Sequence, residues 1–229
     1  GWVNHGGRYV AGLQGWMDMA RKAEAAGAHI IELNMCCPNM SFNVTLTENA
    51  RTEQTGASLG QNAAVVSAIA EAVKGAVGIP VFVKLTPEGG RIGDVARACF
   101  EKGIACVCST ANRLAVADFD IENLGQGPYR LQDEPTLACF SGPWIKPMAL
   151  RDVVEMRRKG GPAARVLGTG GISSWQDAVQ MIMCGADLVG VCTETMLHGF
   201  DFLPKWLKSI REFMARNGYA AVRDFRDLA

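Results

Sequence analysis

The sequence predicts a parallel α/β fold of the (β/α)8-barrel type, and three observations lead to this prediction. Short apolar segments alternate with segments of helical periodicity, which is typical of a parallel sheet covered by helices. The apolar segments contain few polar residues, as expected for strands that are buried on both faces. Polar or glycine-rich residues follow each apolar segment, at the edge of a parallel sheet where ligands bind.

Five apolar segments are predicted as strands and six periodic segments as helices. Gly27 ends the first helix, Pro147 begins the fourth, and Ser173 is placed to cap the fifth. Residues 40–60 and 113–143 are predicted to be long connections. The predicted strands are residues 28–34, 81–85, 105–109, 165–168 and 188–192, and the predicted helices are residues 16–26, 62–77, 91–102, 147–158, 175–184 and 201–216.

The number of strands leaves two parallel architectures open. A closed (β/α)8 barrel has eight strands and typically about 250 residues, whereas this chain has 229 residues. The fold is therefore either an open doubly wound sheet or a barrel that lacks its first strands. Candidate binding residues follow every predicted strand, which favours the barrel. We predict one barrel domain over residues 1–229 with incomplete N-terminal units, and residues 3–13 are a candidate for a remnant of the third strand.

The composition argues against several classes of partner. A formal net charge of +0 argues against nucleic acid and against an anionic membrane surface. No apolar run is long enough to span a bilayer, and the first residues do not form a signal peptide. The eight cysteines show neither zinc nor iron–sulfur spacing, so no metal site is expected. Most of them are predicted to be small buried residues in a reduced, cytoplasmic protein.

The first predicted strand leads directly into a polar tip. Residues 30–33, Ile-Ile-Glu-Leu, are mostly apolar, and they are followed by Asn34, Cys37 and Asn39. Pro38 ends the strand because it cannot donate to a sheet ladder. Cys37 is either an inert buried thiol or an acid or base with an unperturbed pKa of about 8.5, and its place just past a strand end supports both interpretations about equally.

A lysine and a third asparagine follow later strands. Lys84 lies within an apolar segment, where it is either a solvated strand end or a cation that supports an anionic cofactor or intermediate. Asn112 follows the third predicted strand. A single asparagine at such a position is more often a turn residue than a ligand. Three amides that converge on one edge nevertheless suit a planar, amide-bearing substrate.

A glycine-rich segment follows the fourth predicted strand. Residues 168–171, Gly-Thr-Gly-Gly, lead from this strand into a helix, where backbone N–H groups can hold a phosphate. Glycine turns are common, so this signal alone is weak. At the seventh strand of a barrel, however, it matches the standard phosphate site, which is shared with the loop after the last strand. That second loop contains Cys192, Thr193 and Glu194.

Together these motifs resemble the FMN-dependent dihydroorotate dehydrogenase superfamily, and most closely the flavin domain of its dihydropyrimidine dehydrogenase branch. The resemblance extends from about residue 16 to the end of the chain. Its motifs are Glu-Leu-Asn-Met-Cys-Cys-Pro-Asn (32–39), Gly-Ala-Ser-Leu-Gly-Gln (56–61), Val-Lys-Leu-Thr-Pro (83–87), Ala-Asn (111–112), Ser-Gly-Pro-Trp-Ile-Lys-Pro-Met-Ala-Leu (141–150) and Gly-Thr-Gly-Gly-Ile (168–172). Several separate motifs in one order make the resemblance specific.

The resemblance implies a role for each of the candidate residues. It implies that Cys37 is the catalytic acid or base and that Lys84 contacts the flavin ring. Residues 40–60 correspond to a mobile active-site loop of the family. The residues implied to hold the substrate ring are Asn34, Asn39 and Asn112, and those implied to bind FMN are Lys84, Ser141, Gly142, Gly170, Gly171, Cys192 and Thr193.

Three features depart from the family pattern. Cys36 stands where serine is usual, and Arg113 stands where the family has a small hydroxyl residue beside the substrate. The first three strands of the family have no convincing counterpart. Because a guanidinium matches a carboxylate, Arg113 predicts a substrate ring that bears an acidic group, unless this side chain points to solvent.

The predicted function is an FMN-dependent oxidoreductase that reduces or oxidises a C–C bond of a cyclic amide such as a (dihydro)pyrimidine. Hydride would pass through flavin N5 and a proton through Cys37. The alternatives are a class 1 dihydroorotate dehydrogenase and a non-catalytic flavin-binding or electron-relay subunit, which would not need a thiol at Cys37. We expect a small-molecule substrate, an iron–sulfur or NAD(P)-binding electron-transfer partner or missing domain, and a homo-oligomer.

Overall fold

The central feature of the fold is a five-stranded parallel sheet with helices packed on it. The computed structural model describes residues 2–5, 8–11, 13–36, 59–109, 112–116, 118, 120–123 and 137–229. In chain order its elements are β1 (Trp2–His5), β2 (Arg8–Ala11), α1 (Leu13–Ala25), β3 (Ile31–Asn34), α2 (Ala63–Ala76), β4 (Val81–Lys84), α3 (Ile92–Glu101), β5 (Cys106–Cys108), β6 (Arg113–Val116), β7 (Leu137–Phe140), α4 (Lys146–Gly160), β8 (Val166–Thr169), α5 (Trp175–Met183), β9 (Leu188–Gly190), α6 (Thr193–His198) and α7 (Phe202–Asn217). Short 3₁₀ helices lie at Glu88–Gly90, Pro143–Ile145 and Val222–Asp224.

The strands of this sheet follow the order of a barrel. From one edge to the other they are β3, β4, β5, β8 and β9, and all neighbours are parallel. Chain order and spatial order therefore agree, whereas a doubly wound sheet reverses its order at a switch point. This arrangement confirms the predicted parallel α/β fold of the (β/α)8 type. The barrel is not closed, because within the described part of the chain β3 and β9 are both edges of the sheet.

One face of the sheet carries the hydrophobic core. Alternate strand residues are buried there, including Ile31, Leu33, Val81, Val83 and Val107. They belong to the same cluster as apolar side chains of α2, α3 and α4. Burying a side chain of this size contributes about 1.5–3 kcal/mol relative to leaving it exposed. Because side chains alternate along a strand, the residues between them face the other side of the sheet.

Side-chain caps begin two of the helices. Asn62 accepts the Val65 N–H at the start of α2, at 3.2 Å. Ser174 accepts the Asp177 N–H at the start of α5, also at 3.2 Å. The predicted cap, Ser173, is one residue too early. Ser173 instead donates both its N–H and its hydroxyl to the Asp177 carboxylate.

Two antiparallel hairpins lie apart from the parallel sheet. Strands β6 and β7 pair with each other inside the predicted connection 113–143. Strands β1 and β2 pair near the start of the chain. The expectation that residues 3–13 retain a barrel strand is wrong, because this segment forms its own antiparallel pair. Four-residue strands with mixed side chains carry too little periodicity to be recognised from sequence.

In the described ranges no helix could span a membrane and no cysteine forms a disulfide. None of these helices combines the length and apolarity that crossing a bilayer requires. All the described cysteines are free thiols, and Cys36, Cys99, Cys106 and Cys108 are buried. Within the same ranges, no group of three or more His, Cys, Asp or Glu side chains is placed to hold a metal ion.

Candidate functional site

The carboxyl ends of the parallel strands bring distant chain segments to one edge of the sheet. Asn34 pairs in register with Lys84, and Lys84 pairs with Cys108. Towards the opposite lateral edge of the sheet, Thr169 of β8 pairs with Gly190 of β9. Because parallel strands all end at the same edge, the predicted site residues at these ends lie on one side of the sheet.

A cleft lies at the ends of β8 and β9. It encloses about 60 Å³, which is less than the roughly 300–1,000 Å³ of sites that bury a whole drug-sized ligand. Its walls come from residues 141–145, 169–172 and 190–197, together with Asn112. The predicted site residues that line it are Asn112, Ser141, Gly142, Gly170, Gly171, Cys192 and Thr193.

The loop after β8 lines this cleft with Gly170 and Gly171. Gly170 and Gly171 have φ angles of 125° and 72°, a region of backbone conformation that favours glycine. Neither glycine N–H has a hydrogen-bond acceptor among the residues that the structure describes. The cleft is lined by one carboxylate, Glu194, and by no described lysine or arginine. An anion in this cleft would therefore be held by backbone N–H groups.

A buried serine fixes the strand end from which this loop starts. Ser109 is 1% exposed, and its hydroxyl donates to the Thr169 carbonyl at 3.1 Å and accepts the Thr169 N–H at 2.9 Å. A Cβ on Gly190 would lie 2.5 Å from Thr169 Oγ1, so β9 can approach β8 this closely only with glycine there. Sequence reasoning missed Ser109, although a serine directly after an apolar strand was the available signal.

Asn34 is held by the cysteine two residues later. The Asn34 Oδ1 accepts the Cys36 N–H at 3.3 Å and the Cys36 thiol at 3.0 Å. Both bonds go to the amide oxygen, which leaves the Asn34 NH₂ group as a donor for a ligand. Asn34 is exposed whereas Cys36 is buried. Neither residue lines the cleft at β8 and β9.

Lys84 lies beside Asn34 at the end of β4. Its side chain belongs to the face opposite the core and is partly buried. No carboxylate of the described residues lies within ion-pair distance of its ammonium group. A partly buried cation without such a partner is suited to an anionic group, although Lys84 does not itself line the cleft.

Arg113 forms an ion pair with Asp152 of helix α4. Its Nη2 donates to Asp152 Oδ2 of α4 at 3.1 Å, and Asp152 is fully buried. Burial raises the pKa of the Asp152 carboxyl, and the attraction of Arg113 opposes this rise. The predicted contact between Arg113 and a substrate carboxylate stays a prediction, but this pairing supplies the guanidinium with a structural partner.

Two predicted site residues, Cys37 and Asn39, lie outside the described residues, as do residues 40–58 of the predicted active-site loop. Their predicted roles stay predictions. The described chain ends on one side of this segment with Cys36 and resumes with Leu59.

Other thiols near the sheet are poor candidates for proton transfer. Burial raises the pKa of Cys99 to about 12. The pKa of Cys108 is also raised, by a hydrogen bond with Cys106, by burial and by the neighbouring Glu32. Both groups therefore stay protonated near neutral pH, so an acid–base thiol would have to come from elsewhere in the chain.

Two ion pairs next to the cleft were not predicted. Lys146 Nζ donates to Asp177 Oδ1 at 2.6 Å, which joins α4 to α5. Glu194 lines the cleft and lies 3.1 Å from Nδ1 of His198, one turn further along α6. The spacing of Glu194 and His198 is a local helical signal, whereas Lys146 and Asp177 are too far apart in sequence for any such signal.

Comparison with known proteins points to one family. The chain matches the family described as dihydroorotate dehydrogenase over residues 7–214. It is 27% identical over 219 residues to the NAD-dependent dihydropyrimidine dehydrogenase subunit PreA of Escherichia coli, covering 94% of this chain and 50% of that protein. It is 31% identical over 215 residues to the catalytic subunit of dihydroorotate dehydrogenase B (NAD(+)) of Pyrococcus furiosus, covering 92% of this chain and 63% of that protein.

A solved structure has a fold similar to that of this chain. The crystal structure of DHODH in complex with ferulenol from Eimeria tenella superposes with a TM-score of 0.67, covering 96% of this chain and 58% of that chain at 18% identity. The chain spans about half the length of PreA and 63% of the Pyrococcus subunit. Because the family match extends over residues 7–214, the chain belongs to the dihydroorotate dehydrogenase family.

Proposed function

We propose that this chain forms the FMN-binding part of an oxidoreductase that reduces or oxidises a C–C bond of a cyclic amide, such as a (dihydro)pyrimidine. The observation that carries the proposal is the cleft at the ends of β8 and β9, which is lined by Gly170 and Gly171, whose backbone N–H groups have no acceptor among the described residues. Relatives named as dihydropyrimidine and dihydroorotate dehydrogenases support it.

The residues of the cleft fit FMN. The N–H groups of Gly170 and Gly171 suit the phosphate, with Cys192 and Thr193 on the facing loop. Ser141 and Gly142, together with apolar residues of the cleft, suit the flavin ring. Bound FMN would supply hydride exchange at its N5 atom. The chain's own contribution is to hold the cofactor and to orient the substrate.

Lys84 has an electrostatic role in this proposal. Its ammonium lacks a carboxylate partner among the described residues and can stabilise negative charge that develops on the flavin ring. Lys84 is therefore proposed to contact the cofactor while Asn34, its neighbour in register, faces the substrate.

Substrate orientation and proton transfer complete the proposed chemistry. Asn34, Asn39 and Asn112 hold the amide edges of the ring. Cys37 would deliver a proton to one ring carbon in reduction and would accept that proton in the reverse direction, and bound FMN would supply hydride exchange at the neighbouring carbon. The thiol is what distinguishes an enzyme from a non-catalytic flavin-binding or electron-relay subunit.

Dihydroorotate oxidation is the second candidate, favoured by the relative of 31% identity. Dihydroorotate carries a carboxylate that could meet Arg113, but the Arg113 guanidinium already faces buried Asp152. Arg113 is thus better explained by the fold, and the neutral pyrimidine ring is the preferred substrate. Turnover on neutral and carboxylated rings, compared in one assay, distinguishes the two candidates.

In this proposal the flavin exchanges electrons with another protein or domain. The relatives are named as a subunit and as a catalytic subunit. We therefore propose a partner with an iron–sulfur or NAD(P) centre. A homo-oligomer and a cytoplasmic location stay predictions.

The test begins with the visible spectrum of the purified chain, in which bound flavin is yellow. The chemically reduced protein is then mixed with uracil and with orotate without oxygen, and reoxidation of the flavin is followed. In Cys37→Ser the substrate-dependent rate should fall about 10²- to 10⁴-fold, the usual contribution of general acid–base catalysis. FMN content should not change, and Cys36→Ser is the matched control. A colourless protein, or equal rates in both variants, would contradict the proposal.

A further inference from the structure

The cleft has two walls that are joined by an ion pair outside it. One wall is the segment 141–145, which leads directly into α4 at Lys146. The other wall is the loop after β8, which leads into α5. Lys146 Nζ donates to Asp177 Oδ1 of α5 at 2.6 Å. Lys146 does not line the cleft, so its charge is not one of the groups that face a ligand there.

The Asp177 carboxylate also accepts hydrogen bonds from Ser173 and Ser174, which end the loop after β8. Its Oδ2 accepts the Ser173 N–H at 3.0 Å, the Ser173 hydroxyl at 3.1 Å and the Ser174 hydroxyl at 2.8 Å. Asp177 is 7% exposed, so these bonds are largely shielded from water. One carboxylate thus connects α4, the loop and α5.

The loop also packs against the backbone of Lys146, at Gly171. A Cβ on Gly171 would lie 2.5 Å from the Lys146 N and 2.7 Å from its Cα. The loop therefore runs in close contact with the first turn of α4 at Gly171, which lines the cleft. A shift of α4 relative to α5 would move Gly171.

We propose that Lys146 and Asp177 are positioning residues that hold the glycine-rich loop in the shape that binds the cofactor phosphate. This inference rests on the proposed FMN site. The Asp177 side of this ion pair is buried and Lys146 is partly exposed. Such a pair is weak evidence for stability, because the desolvation cost of the charges offsets much of their attraction. The function of the pair is then to select one geometry, in this case the direction of the Gly170 and Gly171 N–H groups.

The inference predicts a loss that is specific to the phosphate. FMN and riboflavin share the flavin ring, but only FMN carries a phosphate. A variant that loosens the loop should bind FMN less tightly and riboflavin almost as before. A variant that merely weakens the fold should change both affinities together, so the ratio of the two dissociation constants separates the two roles.

The experiment measures this ratio on the full chain after flavin removal, by quenching of flavin fluorescence. Lys146→Met keeps the side-chain stem but removes the charge, and should weaken FMN binding about 10- to 100-fold, the equivalent of one charge-assisted hydrogen bond. Riboflavin affinity should change by less than about twofold. Lys146→Arg should restore most of the FMN preference. Inorganic phosphate should compete with FMN less well in Lys146→Met than in wild type.

Lys159→Met is the matched control. Lys159 lies on the same helix and pairs with Asp94 at 3.2 Å, but it does not line the cleft. Its FMN-to-riboflavin ratio should equal that of wild type. If Lys146→Met does not fold, Asp177→Asn is judged by the same ratio.

The outcomes separate this inference from the function on which it rests. A wild-type chain that binds no flavin, or binds riboflavin as tightly as FMN, overturns the proposed cofactor site and the inference with it. A wild-type chain that prefers FMN, together with an unchanged ratio in Lys146→Met or Asp177→Asn, overturns the positioning role alone. A lower ratio in Lys146→Met that Lys146→Arg restores supports it.

Discussion

At the scale of single residues, Cys36 decides which atoms Asn34 can offer to a ligand. The amide oxygen of Asn34 accepts both the N–H and the thiol of Cys36. Its NH₂ group is left as a donor, which suits a carbonyl oxygen of a cyclic amide and not a ring N–H. The thiol supplies this donor as a serine hydroxyl at the same position would.

Replacing Cys36 should therefore affect substrate binding according to the donor that remains. Cys36→Ser keeps a donor and should leave the KM nearly unchanged. Cys36→Ala leaves only the backbone N–H to hold the amide, and the KM should rise about 2- to 10-fold, the equivalent of one neutral hydrogen bond. Steady-state kinetics and calorimetric titration with uracil measure this change, with FMN content as the control. If the serine and alanine variants behave alike, Cys36 does not orient Asn34.

At the scale of elements, one ion pair fastens the β6–β7 hairpin to helix α4. Arg113 opens β6, and its guanidinium reaches the fully buried Asp152 of α4. The neighbouring Arg151 lies 3.4 Å from the same carboxylate but is about half exposed. The two arginines thus provide a matched pair of substitutions.

Arg113→Ala should lower the free energy of unfolding by about 3–5 kcal/mol, the usual effect of removing one partner of a buried pair. Arg151→Ala should lower it by less than about 1 kcal/mol, because exposed pairs contribute little. The loss in Arg113→Ala should shrink as the pH falls. Burial raises the pKa of Asp152, and once the carboxyl is protonated it no longer needs a guanidinium. Urea unfolding of both variants between pH 7 and 4 measures this effect, and equal losses would argue against the assignment.

At the scale of the whole molecule, the C-terminal segment ties distant helices together. Phe225 is fully buried and packs with Val179 and Ile182 of α5. Asp227 accepts two hydrogen bonds from Arg157 of α4, at 2.8 and 2.7 Å. Hydrogen bonding to Arg157 lowers the pKa of Asp227 and outweighs the opposing effect of burial.

The lowered pKa of Asp227 predicts a loss of stability in acid. The unfolded chain binds a proton at Asp227 at higher pH than the folded chain does, so this contribution is complete above the ordinary carboxyl pKa of about 4. It is lost as the pH falls through the lower folded-state value. The pKa of Asp177 is also lowered. Burial is the largest single effect and raises this pKa, but the hydrogen bonds from Lys146, Ser174 and Ser173 together outweigh it.

Asp227→Asn should therefore flatten the decrease of unfolding free energy below about pH 4. Asp201→Asn is the control, since Asp201 is exposed and has no ion pair among the described residues. Urea unfolding at a series of pH values measures both slopes. A slope in Asp227→Asn as steep as in wild type would show that the C-terminal ion pair does not contribute.

The sequence by itself determined the elements of the parallel sheet and the segments at their ends. Apolar runs with glycine and proline at their boundaries are local signals, so the strands around Leu33, Val83 and Val107 and the loop at Gly170 could be located without a structure. The four-residue strands of the β6–β7 hairpin carried no such signal.

Only the tertiary structure decided which side chains meet. Arg113 was predicted to face a substrate, and packing placed it against Asp152, 39 residues away. Lys146 and Asp177 had no predicted role, and their contact arises only because α4 and α5 lie side by side. The partner of a charged side chain depends on which distant element is packed beside it, and neither residue type nor local spacing contains that information.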